Sequence, residues 1–203
     1  MKTKTILLLI CLFSITSKAQ SQLFKGGILA GLNGSQVDGD SYFGYNKLGF
    51  MGGIYIYTPL SAHVDIQLEM EYMGKGAKSV ATESNPVEYK SQLNYFEMPI
   101  ILRYNTKKKI GLESGLGFGY LISSSETLSV GSPTKQNPFK HFELSFIAGM
   151  TYKINDQFTA LARYSYSVLE IAPTFTDPNL IILTSGMYNN LFTIGITYEI
   201  GRK

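Results

Sequence analysis

The segment from Asn94 to Tyr104 alternates between two kinds of side chain over eleven residues. Successive side chains of a strand point to opposite faces of a sheet. The segment therefore predicts a strand with one largely apolar face and a second face that carries Glu97 and Arg103. Eleven residues is long for a strand of a soluble sheet but suits a tilted strand that crosses a membrane. This pattern constrains the fold more than any other feature, because it recurs along the chain.

Similar alternation occurs in eight segments, which we predict to be strands: residues 23–34, 47–58, 62–75, 94–104, 110–123, 139–154, 157–170 and 191–201. Three connections between them are short turns that contain Pro, Asn or Asp, at residues 58–62, 105–109 and 155–156. The other four are long and polar, at residues 35–46, 76–90, 124–138 and 171–190. Alternate connections of an up-and-down antiparallel sheet emerge at the same end. One rim would therefore be smooth, and the other would carry four loops.

Eight antiparallel strands could form a sandwich, a soluble barrel or a membrane barrel. The soluble barrel is the main alternative, because it also has one polar and one apolar face. Three observations favour the membrane barrel: charges crowd one face of each segment, Tyr and Phe recur near segment ends, and only one rim carries long loops. The sequence therefore predicts an all-β fold, an eight-stranded antiparallel up-and-down transmembrane β-barrel, closed so that no strand edge faces lipid.

The first nineteen residues predict an export signal that is cleaved from the mature protein. Lys2 and Lys4 form a basic start, residues 6–15 form an apolar core, and Ser17 and Ala19 are the small residues that a signal peptidase reads. The apolar core is too short for a spanning helix, which needs about 20 residues. We therefore predict a signal peptide at residues 1–19 and one outer-membrane barrel domain at residues 20–203.

Cysteine content and charge exclude several classes of function. The only cysteine, Cys11, lies inside the predicted signal, so we expect no disulfide and no cysteine-bound metal in the mature chain. The signal also holds three lysines and no acid, and without it the chain has 15 basic and 15 acidic residues. A net charge of zero gives no argument for a nucleic acid partner, and we expect none.

The segment Tyr95–Ile100, which reads Y-F-E-M-P-I, resembles a signature of the PorT-like outer-membrane β-barrel family of Gram-negative bacteria. In that signature an aromatic residue is followed two residues later by Glu, and the Glu is followed by Ile, Leu or Met, then by Pro, and then by Ile, Leu or Val. The glycines of residues 26–31 and 115–119 and the last strand around Gly195 resemble the family more weakly. The resemblance implies an exported eight-stranded barrel, and for most members it implies no known biochemistry. One departure is the end of the chain, Ile200 to Lys203, since many outer-membrane barrels end in an aromatic residue.

The polar faces would line the lumen, which in an eight-stranded barrel has room only for side chains or one small ligand. We expect a packed network of ion pairs there, because an unpaired buried charge costs several kcal/mol. His63 and His141 fall on the same faces. The predicted lumenal network comprises Lys25, Asp65, Glu69, Glu71, Glu97, Arg103, Glu113, Glu143, Lys153, Arg163 and Glu199.

Three contacts within this network follow from the expected order of the strands. The first and last strands must meet to close the barrel, and residues 105–109 form a tight turn between two strands. We therefore predict that Lys25 pairs with Glu199, that Arg103 pairs with Glu113, and that Arg163 lies near Glu69 or Glu97.

Two further expectations concern the backbone of the strands. Pro99 has no amide hydrogen to donate to a neighbouring strand, so we expect a bulge near Glu97. We expect Gly115, Gly117 and Gly119 to leave room for long side chains in the lumen. They are not a phosphate-binding loop, because no helix follows them.

The sequence thus predicts an integral outer-membrane protein that serves envelope integrity, adhesion or attachment to a larger assembly. We expect no catalytic, cofactor-binding or metal-binding residues. The alternatives are a small-solute channel lined by acids and a lipid-modifying enzyme that uses His141 and Glu143. The expected partners are the lipid of the cell outer membrane and an envelope protein that would bind through the long loops, with both termini in the periplasm.

Overall fold

The computed structural model describes residues 24–40, 44–79, 88–106, 108–128, 138–173 and 186–201. These residues form nine strands: β1 (Lys25–Asp38), β2 (Lys47–Pro59), β3 (Val64–Lys78), β4 (Tyr89–Asn105), β5 (Ile110–Leu128), β6 (Phe142–Lys153), β7 (Phe158–Ser167), β8 (Ala172–Pro173) and β9 (Gly186–Glu199). In this part of the chain no helix is long and apolar enough to cross a bilayer. The predicted signal peptide, residues 1–19, lies outside the described residues.

The eight long strands close into a barrel. Each pairs in antiparallel fashion with its neighbours, and the sheet closes where β1 pairs with β9, from Gly27 opposite Glu199 to Asp38 opposite Tyr188. The two-residue strand β8 pairs only with the first residues of β9. The predicted eight-stranded antiparallel barrel is confirmed. The connections after β2, β4 and β6 are short and share one rim, which we call the smooth rim, and the others share the looped rim.

Several strands are longer at the looped rim than the alternation predicts. β4 begins at Tyr89, β5 continues to Leu128, and β9 begins at Gly186, five residues or so beyond the predicted limits. The outward side chains there are polar, for example Lys90 and Gln92 in β4. Since the outward face is no longer apolar, alternating hydrophobicity marks only the belt of each strand that faces lipid.

The outer face of the barrel carries its large exposed apolar side chains. In β4, Met98, Ile100 and Leu102 are 40–50% exposed, whereas Tyr95 and Glu97 on the opposite face are 0% and 3% exposed. The same division holds in the other long strands, so the faces are those that the sequence predicts.

The lumen is filled by apolar as well as polar side chains. One buried cluster lies on β1, β2, β3, β7 and β9 and comprises Leu29, Met51, Tyr55, Met73, Leu161 and Leu191. A second includes residues at the looped-rim end of the lumen and comprises Val37, Ala77, Tyr89, Leu93, Tyr95, Leu121, Ile171, Ala172 and Met187. The expectation of a purely polar filling was therefore incomplete.

A bulge is present near Glu97, as predicted, but its extra residue lies in the neighbouring strand β5 and not beside Pro99. The register between β4 and β5 shifts between Asn94 and Tyr95, which face Ser123 and Leu121, so the extra residue is Ile122 of β5. At Pro99 the ladder to β3 has a gap, but the register is the same on both sides of it. The missing amide hydrogen thus removes local pairing without inserting a residue.

Candidate functional site

The middle of the lumen is crossed by a network of two arginines and two glutamates, which we call the arginine network. Arg163 of β7 donates Nη1 and Nη2 to the two carboxylate oxygens of Glu69 on β3, each at 2.7 Å. Its Nε donates to Glu113 Oε2 at 2.8 Å. Arg103 donates Nε and Nη2 to Glu113 Oε1 at 2.9 and 2.7 Å. Paired, forked contacts of this kind are among the strongest hydrogen bonds in proteins.

A second group, the lysine cluster, surrounds Lys75. The Nζ atom of this fully buried side chain is 2.5 Å from Glu97 Oε1 and 2.8 Å from Glu143 Oε1. Ser167 Oγ and Asn189 Nδ2 donate to the two oxygens of Glu143, both at 2.8 Å. The cluster thus joins β3, β4, β6, β7 and β9 through side chains inside the barrel.

Glu71 lies beside the lysine cluster without a basic partner of its own among the described residues. It is directly opposite Glu97 on β4 and is 2% exposed. Its Oε2 atom has no hydrogen-bond partner in the described part of the chain. On its other side it faces Gly53 of β2, which has no side chain that could donate.

The smooth rim opens into a polar cavity of about 390 Å³, which we call the vestibule. Asp65, Arg103, Lys153 and Glu199 line it, so four of the predicted lumenal residues lie at this end. Asp65 Oδ2 accepts a hydrogen bond from Asn105 Nδ2 at 2.6 Å, and Lys153 forms an exposed ion pair with a residue of the next turn, Asp156. The arginine network closes the inner end of the vestibule.

Two of the three predicted contacts are present. Arg103 pairs with Glu113, and Arg163 pairs with Glu69 rather than Glu97. The predicted pair of Lys25 with Glu199 is wrong. Glu199 accepts a hydrogen bond from Tyr57 Oη at 2.8 Å, and Lys25 Nζ lies 6.0 Å from the centre of the Tyr57 ring.

The two histidines do not join the lumenal network. Both are exposed, and their rings stack on tyrosines of the outer face, His63 on Tyr104 and His141 on Tyr120. Their assignment to the lumenal faces was wrong. The reason is that each precedes the first residue of its strand, Val64 and Phe142, where the alternation of the strand does not yet apply.

Sequence reasoning missed Lys75, Ser167 and Asn189. Lys75 has the same parity in β3 as Glu69 and Glu71, and this signal would have placed it in the lumen. Asn189 lies in the part of β9 that precedes the apolar belt, so alternation could not identify it.

The charged groups of the arginine network and the lysine cluster bind one another and brace the barrel from inside. Arg163 is 4% exposed, and its three guanidinium nitrogens, Nε, Nη1 and Nη2, all donate to Glu69 or Glu113. Within the described residues there is no group of three or more His, Cys, Asp or Glu side chains that could hold a metal ion.

Residues 5–199 match a family model described as the outer membrane protein beta-barrel domain. Solved structures that are similar in fold include two proteins that match most of the chain. One is Ail, the attachment invasion locus protein of Yersinia pestis, at 15% identity with a TM-score of 0.54, covering 87% of this chain and 98% of Ail. The other is Neisserial surface protein A, at 12% identity with a TM-score of 0.52, covering 86% of this chain and 96% of that protein. The chain has no significant match among curated protein sequences.

Proposed function

The chain belongs to the outer membrane protein beta-barrel domain family and lies in the outer membrane, and from this premise we propose that it is a structural or interaction protein of the envelope. It acts in envelope integrity, adhesion or attachment to a larger assembly, without catalysis and without conducting solutes. Its termini lie in the periplasm and its long connections face outward.

The observation that carries this proposal is the bridge between Arg163 and Glu69. These residues lie on β7 and β3, which are four strands apart in the sheet order, and the two contacts of 2.7 Å between them cross the lumen. Because Glu113 binds both Arg163 and Arg103, a solute that passed this level would have to separate several charge-assisted hydrogen bonds.

The apolar filling gives independent support. Towards the looped rim, Leu93, Tyr95 and Ile171 are fully buried in one cluster with Met187. Apolar side chains in contact leave no hydrated path for an ion, which would lose its water without finding new ligands. Polar and apolar filling of the lumen thus both support the proposal that the barrel does not conduct.

We also propose that the chain is a PorT-like member of its family, on the basis of the segment Tyr95–Ile100. In the barrel, Glu97 of this segment is the residue that binds Lys75. This contact supports a bracing role in the lumen for the acid of the signature.

The test is conductance in planar lipid bilayers after the mature chain has been refolded. We expect no ion currents from the wild-type protein. The competing function is a small-solute channel, which the open, charged vestibule would favour. It predicts currents that shift in Glu69→Gln and Glu97→Gln but not in the control Glu170→Gln, whose carboxylate is exposed and bound to Lys140. Such currents would overturn the proposal.

The interaction role is tested separately by chemical crosslinking in the cell envelope. A partner that binds through the loops should be lost when residues 129–137 are deleted. The same variant should still show heat-modifiable migration on SDS gels, as an intact barrel. If it loses its barrel migration, a shorter deletion of residues 131–135 replaces it.

A further inference from the structure

The described lumen holds more buried acids than buried bases. Five glutamates of the arginine network and its surroundings are at most 4% exposed, and only three basic side chains lie among them. The acids are Glu69, Glu71, Glu97, Glu113 and Glu143, and the bases are Lys75, Arg103 and Arg163.

The arginines are not available to balance this excess. Arg163 is bound to Glu69 and Glu113, and Arg103 is bound to Glu113. The remaining base, Lys75, lies between Glu97 and Glu143. Glu71 is therefore the one carboxyl among these five that forms no ion pair with a described basic side chain. A buried carboxylate without a cation costs several kcal/mol, and a neighbouring carboxylate increases that cost.

The positions of Glu71 and Glu97 allow a single bound proton to relieve the repulsion between their carboxylates. The two residues are directly opposite on β3 and β4 with both side chains in the lumen, a relationship that brings Cβ atoms to about 4.5–5.5 Å. Two ionised carboxylates cannot hydrogen-bond to each other, because neither has a hydrogen to donate. If one is protonated, its O–H group can donate to the other.

Two buried acceptor atoms in and beside the lysine cluster have no hydrogen-bond donor among the described residues. Glu71 Oε2 has no partner within the described residues, and the same holds for Oδ1 of the fully buried Asn189, whose Nδ2 atom binds Glu143. A protonated Glu71 would add a donor where the charge excess lies.

We propose that Glu71 carries a proton at neutral pH and shares it with Glu97, so that the barrel has a proton-binding site in its lumen. The proton adds one O–H donor and removes one negative charge from the group around Glu71. The charged side chains that act on it are Glu69 and Lys75 of β3, Glu97 of β4 and Arg163 of β7, and the titratable Tyr55 of β2 lies opposite Glu69. Glu113 of β5 and Glu143 of β6 belong to the same two groups of ion pairs. Loss of the proton at higher pH leaves two adjacent carboxylates and destabilises the barrel.

Infrared spectroscopy of the refolded mature protein tests this directly. Protonated carboxyl side chains absorb in a carbonyl region that is distinct from that of carboxylates. We expect the wild-type protein at neutral pH to show this band, and we expect Glu71→Gln to abolish it. The control Glu170→Gln removes an exposed carboxylate paired with Lys140 and should leave the band unchanged. Retention of the band in Glu71→Gln would overturn the proposal.

A titration of the wild-type protein gives a test that does not require the variant to fold. The band should disappear as the pH is raised. The protein should become easier to unfold as the pH rises towards that range, because the unfolded chain releases the same proton at lower pH. Absence of the band at neutral pH would overturn the proposal, as would stability that differs between Na⁺ or K⁺ and a bulky organic cation at equal ionic strength, which indicates a bound metal cation instead of a proton. The result is independent of whether the barrel conducts.

Discussion

Lys75 and Glu143 lie on β3 and β6, three strands apart in the sheet, yet their charged atoms are 2.8 Å apart inside the barrel. Since Lys75 also binds Glu97, a single ammonium group holds two buried carboxylates. The stability of the barrel should therefore depend strongly on this one side chain.

We expect Lys75→Met to destabilise the barrel by about 3–5 kcal/mol, because it leaves Glu97 and Glu143 without their cation. The free energy of unfolding in urea, measured in lipid vesicles, is the test. The matched control is Lys78→Met, three residues further along β3 on the outward face. It should change stability by no more than about 0.5 kcal/mol. Equal stability of the two variants would contradict the role given to Lys75.

Arg163→Met should also cost about 3–5 kcal/mol, because it leaves Glu69 without an arginine and removes one of two arginines from Glu113. Arg163→Lys should lose less, since it keeps the charge but not the fork that contacts both oxygens. Unfolding in urea measures both variants.

A double-mutant cycle distinguishes the coupling energy between Arg163 and Glu69 from the general destabilisation that each substitution causes in the core. The combined variant Arg163→Met with Glu69→Gln should be more stable than the sum of the single effects predicts. We expect a coupling of about 0.5–3 kcal/mol. Simple additivity would mean that the two side chains do not act together.

The glycines of β5 should differ in their tolerance of alanine. A Cβ atom at Gly115 would lie 2.2 Å from the backbone oxygen of Ile100, which cannot rotate away. At Gly119 the nearest atoms belong to side chains, Tyr95 at 3.2 Å and Glu97 at 3.3 Å. Gly115→Ala should therefore destabilise the barrel by about 1–3 kcal/mol, and Gly119→Ala by less. Melting temperatures of the two refolded variants give the comparison, and the opposite order would contradict it.

Charge on the outer face should be costly only in the middle of the apolar belt. Leu116 lies between Leu112 and Tyr120 on the outer face of β5 and is 43% exposed. In lipid, Leu116→Arg should cost about 2–4 kcal/mol. Ile154→Arg, at the smooth rim, should cost about 0–1 kcal/mol. Urea unfolding in vesicles measures this difference, and similar costs at the two sites would mean that Leu116 does not lie near the bilayer centre.

The sequence predicts the barrel well because lipid and lumen impose opposite requirements on alternate residues. The same alternation identifies the inward acids and bases. It also allows contacts across tight turns to be predicted, since the turn between β4 and β5 sets their register and brings Arg103 opposite Glu113. Contacts of this kind depend only on local geometry.

Contacts that cross the lumen could not be predicted in the same way. Whether Arg163 meets Glu69 or Glu97 depends on the tilt and stagger of all the strands between them, which no local pattern encodes. The expected pair of Lys25 and Glu199 failed for a different reason, since Tyr57 supplies a hydroxyl to the acid and a ring to the base. The alternation places Met51 and Tyr55 inside the barrel. It does not show that they pack into an apolar cluster, because their partners come from other strands.

The cross-lumen bridges tie each half of the barrel to strands that are not its neighbours in the sheet. A barrel held only by its ladders could be pulled out of a membrane one hairpin at a time. Here, removal of β3 would break bonds to β6 and β7 as well as to β2 and β4. Strands β3 to β7 should therefore leave the bilayer as one cooperative unit, and a mechanical pull on the chain should meet its largest resistance there.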